Sequence, residues 1–211
     1  MIAVDEKSKK IKKLALMLKT LDVNVYIYGN KGVGKKYLAN FIANEGDIIT
    51  SNIKEIQNDK RIILIGYEKL NDNIKENFNI TVEIFLDDLI NRPKDTKAFI
   101  EYFKNEAKNE LKLQDDFEVE VDISENLNSL KRGIYKSALC SNLNRDEMIN
   151  LLESYFNKNY NDSSYNEELK IFDTAIIKSL QKKYKSKLQM AKHLKINRAT
   201  LSKKVDELGL N

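Results

Sequence analysis

Val23-Asn-Val-Tyr-Ile-Tyr-Gly29-Asn30-Lys31-Gly32-Val33-Gly34-Lys35-Lys36 is the stretch that decides how this 211-residue chain is read. A β-rich run is closed by Gly29, and a helical pattern follows from Lys35 to Asn44. Gly29 to Lys35 fits GxxxxGK, a turn whose backbone N–H groups join a helix N-terminus to cradle an anion. Lys35 is then the residue that reaches the β- and γ-phosphates. The candidate nucleotide-binding residues are Gly29, Asn30, Lys31, Gly32, Val33, Gly34, Lys35 and Lys36. The position that normally offers a Ser or Thr hydroxyl to magnesium is Lys36, a cation that cannot coordinate it. Two readings stay open: a site that binds ATP or ADP without hydrolysis, or a phosphate loop kept for folding only.

Further strands are expected at Ile48–Thr50, Arg61–Gly66 and Thr81–Leu86, separated by helical stretches, which implies a parallel sheet covered by helices. An amphipathic helix precedes the loop, with Ile11, Leu14, Leu18 and Leu21 at steps of three and four. After Leu86 the strand signals stop. Helices are expected over Thr96–Leu113, Ser124–Leu139, Arg145–Phe156 and Glu167–Tyr184, and Asn157–Asn166 contains no aliphatic residue. One Cys excludes a disulfide framework, and one His excludes a His-rich metal or catalytic cluster. Cys140 reads as a small packed residue. No metal ligands and no catalytic residues are assigned. No apolar run reaches the roughly 20 residues of a membrane helix, and the lysines at 7, 9, 10, 12, 13 and 19 interrupt any signal segment. The expectation is a soluble, cytoplasmic protein without a membrane partner.

The net charge of +4 hides an asymmetry. Lys178 to Lys204 holds ten of the 36 basic residues and no acid, leaving 26 basic against 32 acidic elsewhere. A mildly acidic body with a basic end is the electrostatic footprint of a nucleic-acid-binding appendage. The basic end reads KLQMAKHLKINRATLSKKVDELGLN, Lys187–Asn211. Leu188, Ala191 and Leu194 mark a short helix facing inward, Lys195-Ile196 a turn, and Asn197 the N-cap of a second helix over Arg198–Leu208. Leu201, Val205 and Leu208 form its buried side, and Gly209 stops it. Lys187, Asn197, Arg198, Thr200, Ser202, Lys203 and Lys204 are the candidate DNA-binding residues, donors suited to base edges and phosphates of double-stranded DNA.

This segment resembles the Fis-type helix-turn-helix through Ala191, Leu194, Ile196, Arg198, Thr200, Leu201, Lys203 and Lys204, with Lys195 in place of the usual turn Gly. The resemblance implies a homodimer formed through the helix preceding the motif. Together with the phosphate loop, the chain resembles NtrC-like AAA+ transcription activators, the sigma-54-dependent family. RIILIGYEKL (Arg61–Leu70) is similar to its sensor I strand. FLDDLINRPKD (Phe85–Asp95) is similar to L-P-P-L-R-x-R-x-x-D, and ENLNSLKR (Glu125–Arg132) to G-N-V-R-E-L-x-N.

Departures from that pattern carry the functional expectation. Only seven residues separate Ile53 from Arg61, where the family places the GAFTGA loop and the Walker B strand. Its sensor I polar residue falls on Gly66 or Tyr67, its sensor II Arg on Asn128, and its arginine fingers have no counterpart. Phosphoryl transfer needs positioned charge, so neither ATPase activity nor sigma-54 remodelling is expected. In a competing reading, Asp87-Asp88 end a Walker B strand, Asp87 holds magnesium, and the chain is a small P-loop NTPase whose basic tail only localises it to DNA; a further alternative is a modulator that co-assembles with full-length relatives. The resulting fold class is α/β plus α: a shortened AAA+-like P-loop parallel sheet with a helical lid, then a small all-α Fis-type helix-turn-helix domain. The division is 1–113 for the α/β domain, 114–158 for the lid, 159–166 for a linker and 167–211 for the DNA-binding domain. No cofactor is required, and RNA polymerase or a full-length relative is the further partner implied.

Overall fold

In β1 (Asn24–Tyr28), β-branched and aromatic residues alternate, and the strand's three central residues are buried on both sides. The computed structural model describes residues 1–55, 60–159 and 164–210. In it β1 sits between β3 (Ile62–Gly66) and β4 (Ile80–Phe85), and β2 (Ile48–Thr50) lies outside β3. All pairings are parallel: Val25 opposes Ile63, and Tyr28 opposes Gly66 on one side and Phe85 on the other. This is the expected parallel sheet. Parallel neighbours need crossovers, supplied by α2 (Lys35–Ile42) between β1 and β2 and by α3 (Asp72–Asn77) between β3 and β4. Alternation sends Val25, Ile27, Ile63 and Ile84 to one face. There they pack with Leu38, Ala39 and Ile42 of α2 and with Ala15 and Leu18 of α1 (Glu6–Leu18). Tyr26, Ile62 and Leu64 form a smaller cluster on the other face. Gly66 has to be glycine, because an added Cβ would lie 1.9 Å from the Tyr26 hydroxyl, which donates to Glu68 O.

α4 (Pro93–Leu111) and α5 (Leu127–Ser141) build a second core from Leu89, Phe103, Ala107, Phe117, Leu130, Ile134 and Ala138. The expected boundary at 113 therefore runs between two helices that share a core. Cys140, expected to be packed, is exposed, because Ala138 and Ile134 hold the buried stripe of α5. The N-terminus is pinned to the start of α4. Fully buried Asp95 accepts from Val4 N (2.6 Å), Asp5 N (3.0 Å) and Ser8 Oγ, and Asp5 accepts from Asp95 N.

The chain divides into two compact units, Met1–Leu143 and Asn144–Asn211. This differs from the expected division in grouping α6 (Arg145–Asn159) with the C-terminal helices α7 (Tyr165–Lys183), α8 (Lys187–Leu194) and α9 (Arg198–Glu207). Of the expected linker, residues 160–163 lie outside the described residues. The core of the second unit is Ile177, Leu180, Met190, Ala191, Leu201 and Val205. Leu188, expected inward, is about half exposed, and Met190 takes the inward place. Ser164 and Glu167 form a capping box on α7, while Ser186 and Asn197 cap α8 and α9. Lys195 turns the chain between α8 and α9 at φ 55°, the left-handed region glycine favours.

At the base of the sheet, buried Arg61 donates to Leu18 O (2.7 Å), Val23 O (3.0 Å) and Asp47 Oδ2 (3.0 Å), joining α1, β1 and the approach to β2. Arg61→Ala removes the cation paired with the Asp47 carboxylate, which keeps its bond from Asn44 N, and a donor from each of two carbonyls. We expect a loss of about 3–5 kcal/mol, measured as a lower urea midpoint at unchanged m-value.

Candidate functional site

β1 delivers the chain to Gly29, and α2 begins at Lys35, so the glycine-rich loop lies at the C-terminal end of a central parallel strand. This is where open α/β sheets place ligands. None of the backbone N–H groups from Asn30 to Lys36 donates to an acceptor among the described residues. Lys35 is mostly buried, and its Nζ donates to Gly29 O (2.6 Å) and Asn30 O (2.7 Å) over the ring of Tyr67, 4.4 Å from its centroid. Burial pushes the Lys35 ammonium below its usual range. Lys31 and Lys36 are exposed, with no ion-pair partner among the described residues.

The segment before α5 holds the loop from the other side. Asn126, at φ 55° and ψ −129°, donates to Lys31 O and to Asp88 Oδ1 (both 3.0 Å) and accepts from Leu89 N (2.7 Å). Leu127 N donates to Gly32 O at 3.1 Å. Gly32 has φ 79°, and a Cβ there would lie 2.2 Å from Glu125 O and 3.3 Å from the Asn128 amide. Asn128, where the family resemblance places sensor II, thus lies over the loop.

Beside the loop is a cavity of about 320 Å³ lined by Gly34, Tyr37, Leu86, Arg92, Phe99 and Leu127, among others. Arg92 is buried. Its Nη2 is 3.4 Å from Val33 O and its Nη1 3.9 Å from Asp95, and its buried Nε meets no acceptor among the described residues. Burial lowers the Arg92 pKa, with Asp95 the nearest opposing charge. A mostly apolar cavity with a buried cation in its lining, beside free loop N–H groups, fits an organic phosphate. Arg92 and Asn126 were not among the sequence candidates. The left-handed geometry at Asn126 and the unpaired Nε of Arg92 appear only in three dimensions.

Asp87 and Asp88 follow β4, the strand next to β1. Asp87 pairs with Lys7 Nζ (2.9 Å) and accepts from Asn91 Nδ2 (3.0 Å), and Lys7 chiefly holds its carboxyl below the usual range. Asp88 accepts from Asn30 Nδ2 (2.8 Å) and from Asn126. Neither side chain caps the helical turn Leu89–Asn91, a capping role that the family resemblance implies for them. Part of the short stretch between Ile53 and Arg61, residues 56–59, lies outside the described residues. No group of three or more His, Cys, Asp or Glu that could hold a metal occurs among the described residues.

In the second unit, Asn197 Oδ1 accepts from Ala199 N (2.9 Å), and Arg198 and Thr200 are exposed in the first turn of α9. Ser202 is half-buried. Lys203 lies 3.8 Å from Glu207, Lys187 lies 4.0 Å from Asp206, and Lys204 pairs with Asp173. Such surface pairs contribute about 0–1 kcal/mol and break readily for a stronger anion. Exposed Lys192 and Lys195, absent from the sequence candidates, flank the same turn.

No protein-family model matches this chain, and no curated protein sequence matches it. Solved structures do. The crystal structure of NtrX from Brucella abortus in complex with ATP aligns over 100% of this chain and 69% of its own, at TM-score 0.54 and 11% identity. The chain shares the NtrX fold. The ADP complex gives TM-score 0.55 at 11% identity over the same shares, and a third NtrX structure gives 0.53 at 12% over 99% and 69%. At such identity the NtrX likeness concerns backbone architecture alone. No helix among the described residues is long and apolar enough to cross a membrane.

Asn126→Ala leaves Leu89 N and Lys31 O without their partners. We expect a loss of about 1–3 kcal/mol, with faster hydrogen exchange at the Leu89 amide than in the wild type.

Proposed function

We propose that this chain is a cytoplasmic, sequence-specific DNA-binding transcription regulator related to the sigma-54-dependent activators, with α8 and α9 as its helix-turn-helix. One observation carries the reading. α9 is capped by Asn197 and buries Leu201 and Val205, while Arg198 and Thr200 stand exposed in its first turn, where a recognition helix meets base edges. The concentration of basic residues in the same segment supports it.

The α/β unit, in this reading, binds ATP or ADP without hydrolysing it. The free loop N–H groups, the cavity with Arg92, and the ATP and ADP complexes of NtrX support nucleotide binding. Missing arginine fingers and the lysine at position 36 speak against turnover. The competing NTPase reading has one observation in its favour, the bond from Asn30 to Asp88 at the end of the strand beside the loop. Steady phosphate release that Asp88→Asn abolishes would replace the regulator reading of this unit.

The second unit pairs with a second copy of itself. α6 buries none of its side chains, and Ile149, Leu151, Leu169, Ile171 and Ile176 of α6 and α7 are substantially exposed. Exposed apolar surface of this kind marks an interaction site. RNA polymerase or a full-length relative is the further partner that the family resemblance supplies.

For DNA, Arg198→Ala is expected to weaken specific binding by about 1–3 kcal/mol, and Lys203→Ala to weaken all sequences alike and lower the salt slope by about 1. Titration of selected duplexes at several salt concentrations measures both; unchanged binding in both variants rejects groove docking. For self-association, Leu169→Asp with Ile171→Asp is expected to convert a dimer to monomer in sedimentation equilibrium.

A further inference from the structure

Phosphate loops ordinarily share their charge problem with magnesium, which a hydroxyl after the GK pair and an acid from a nearby strand help to hold. Here the hydroxyl is absent and both acids have partners. The hydroxyl position is Lys36, the second residue of α2, whose ammonium repels a dication. The two nearby acids are already engaged, Asp87 by Lys7 and Asn91, Asp88 by Asn30 and Asn126. What surrounds the loop is a set of unspent donors and cations. Among the described residues the N–H groups from Asn30 to Lys36 are unpaired, Lys31 and Lys36 are exposed without ion-pair partners, and Lys35 is held by two carbonyls and the Tyr67 ring, with no acid on it. The adjoining cavity brings a further cation beside the loop, the buried Arg92 among its lining residues.

We propose that this cradle binds a nucleoside di- or triphosphate without a divalent metal, the Lys36 ammonium supplying at the phosphates the charge that magnesium would bring. The inference rests on the reading of the loop as a nucleotide site and adds the form in which the ligand is taken. Lysine makes a compact point charge with three donors, so it serves phosphate oxygens directly where a metal would bridge them. Lys35 turns from the Gly29 and Asn30 carbonyls to the phosphates, and the cavity beside Gly34 receives the base.

The test uses the full chain and titrates ATP, ADP and inorganic pyrophosphate by calorimetry, once in excess EDTA and once in excess magnesium. ATP and ADP are expected to bind with affinities equal within about threefold in the two buffers, and pyrophosphate more weakly. Lys36→Thr is expected to lose about tenfold in EDTA, the scale of one charge-assisted hydrogen bond, and to regain affinity when magnesium is added. Lys36 is exposed, so the variant folds, and its urea midpoint verifies that. Nucleotide binding by the wild type that requires magnesium overturns the inference and leaves the nucleotide reading standing. Metal-free binding unchanged in Lys36→Thr overturns the role of Lys36. Pyrophosphate binding as tightly as ADP overturns the nucleotide as ligand. Absence of binding in both buffers removes the nucleotide site and the inference together.

Discussion

One amide side chain holds the first unit in the shape that makes a site. Asn126 stands in a backbone conformation that L-residues rarely adopt, and three hydrogen bonds hold it there. They tie the phosphate loop through Lys31 O, the end of β4 through Asp88, and the turn after it through Leu89 N. The left-handed φ is a cost repaid only while all three segments are in place. The loop therefore does not hold its conformation by its own glycines alone. The approach to α5 presses Glu125 O against Gly32, and the Leu127 amide bonds the Gly32 carbonyl. The cavity beside Gly34 adjoins this arrangement, with Leu127 and Arg92 both in its lining.

The strands could be read from the chain because their signal is local. Ile48–Thr50 falls where its β-branched run predicts, and the other three strands differ from expectation by one residue, at one end for β1 and β3 and at both for β4. Helix faces were harder. Leu188 and Met190 lie two residues apart on a short helix, and only packing against Leu201 and Val205 decides which goes inward. Cys140 sits in an apolar stretch yet turns outward, because α4 meets α5 along Leu130, Ile134 and Ala138. α3 has no buried residue and left no apolar period to find. In the site, the GxxxxGK spacing pointed to the loop, whereas Arg92 and Asn126 gain their meaning from partners 59 and 95 residues away.

Charge count overstates what is available to a ligand. Lys187 and Lys203 of the basic end sit near carboxylates of α9, and Lys204 pairs with Asp173 of α7. Arg198 carries no such pair among the described residues, and with Thr200 it offers its donors without first giving up an internal contact. In the first unit the same sorting works in reverse. Lys7 pairs with Asp87, whereas Asp88 keeps its negative charge and accepts from two neutral amides, Asn30 and Asn126.

The shortened connection between β2 and β3 has a structural consequence that reaches the site. Parallel strands are ordinarily covered on both faces by their crossover helices, but between Thr50 and Ile62 the described residues hold only the single turn Ile53–Glu55. Among the described residues, Tyr28, Leu70 and Ile80 pack against the cluster of Tyr26, Ile62 and Leu64 on one face of the sheet. Aromatic rings line this face: Tyr26 stacks on Tyr28 at 5.5 Å, and Tyr28 meets Phe85 at 5.2 Å. Tyr26 also spends its hydroxyl on Glu68 O, fixing the turn after β3 that carries Tyr67 under Lys35. A residue that closes a sheet face thus also sets the resting place of the loop lysine. The position of Lys35 follows from the Tyr26–Glu68 bond and the Tyr67 ring it places as much as from the glycine-rich loop itself.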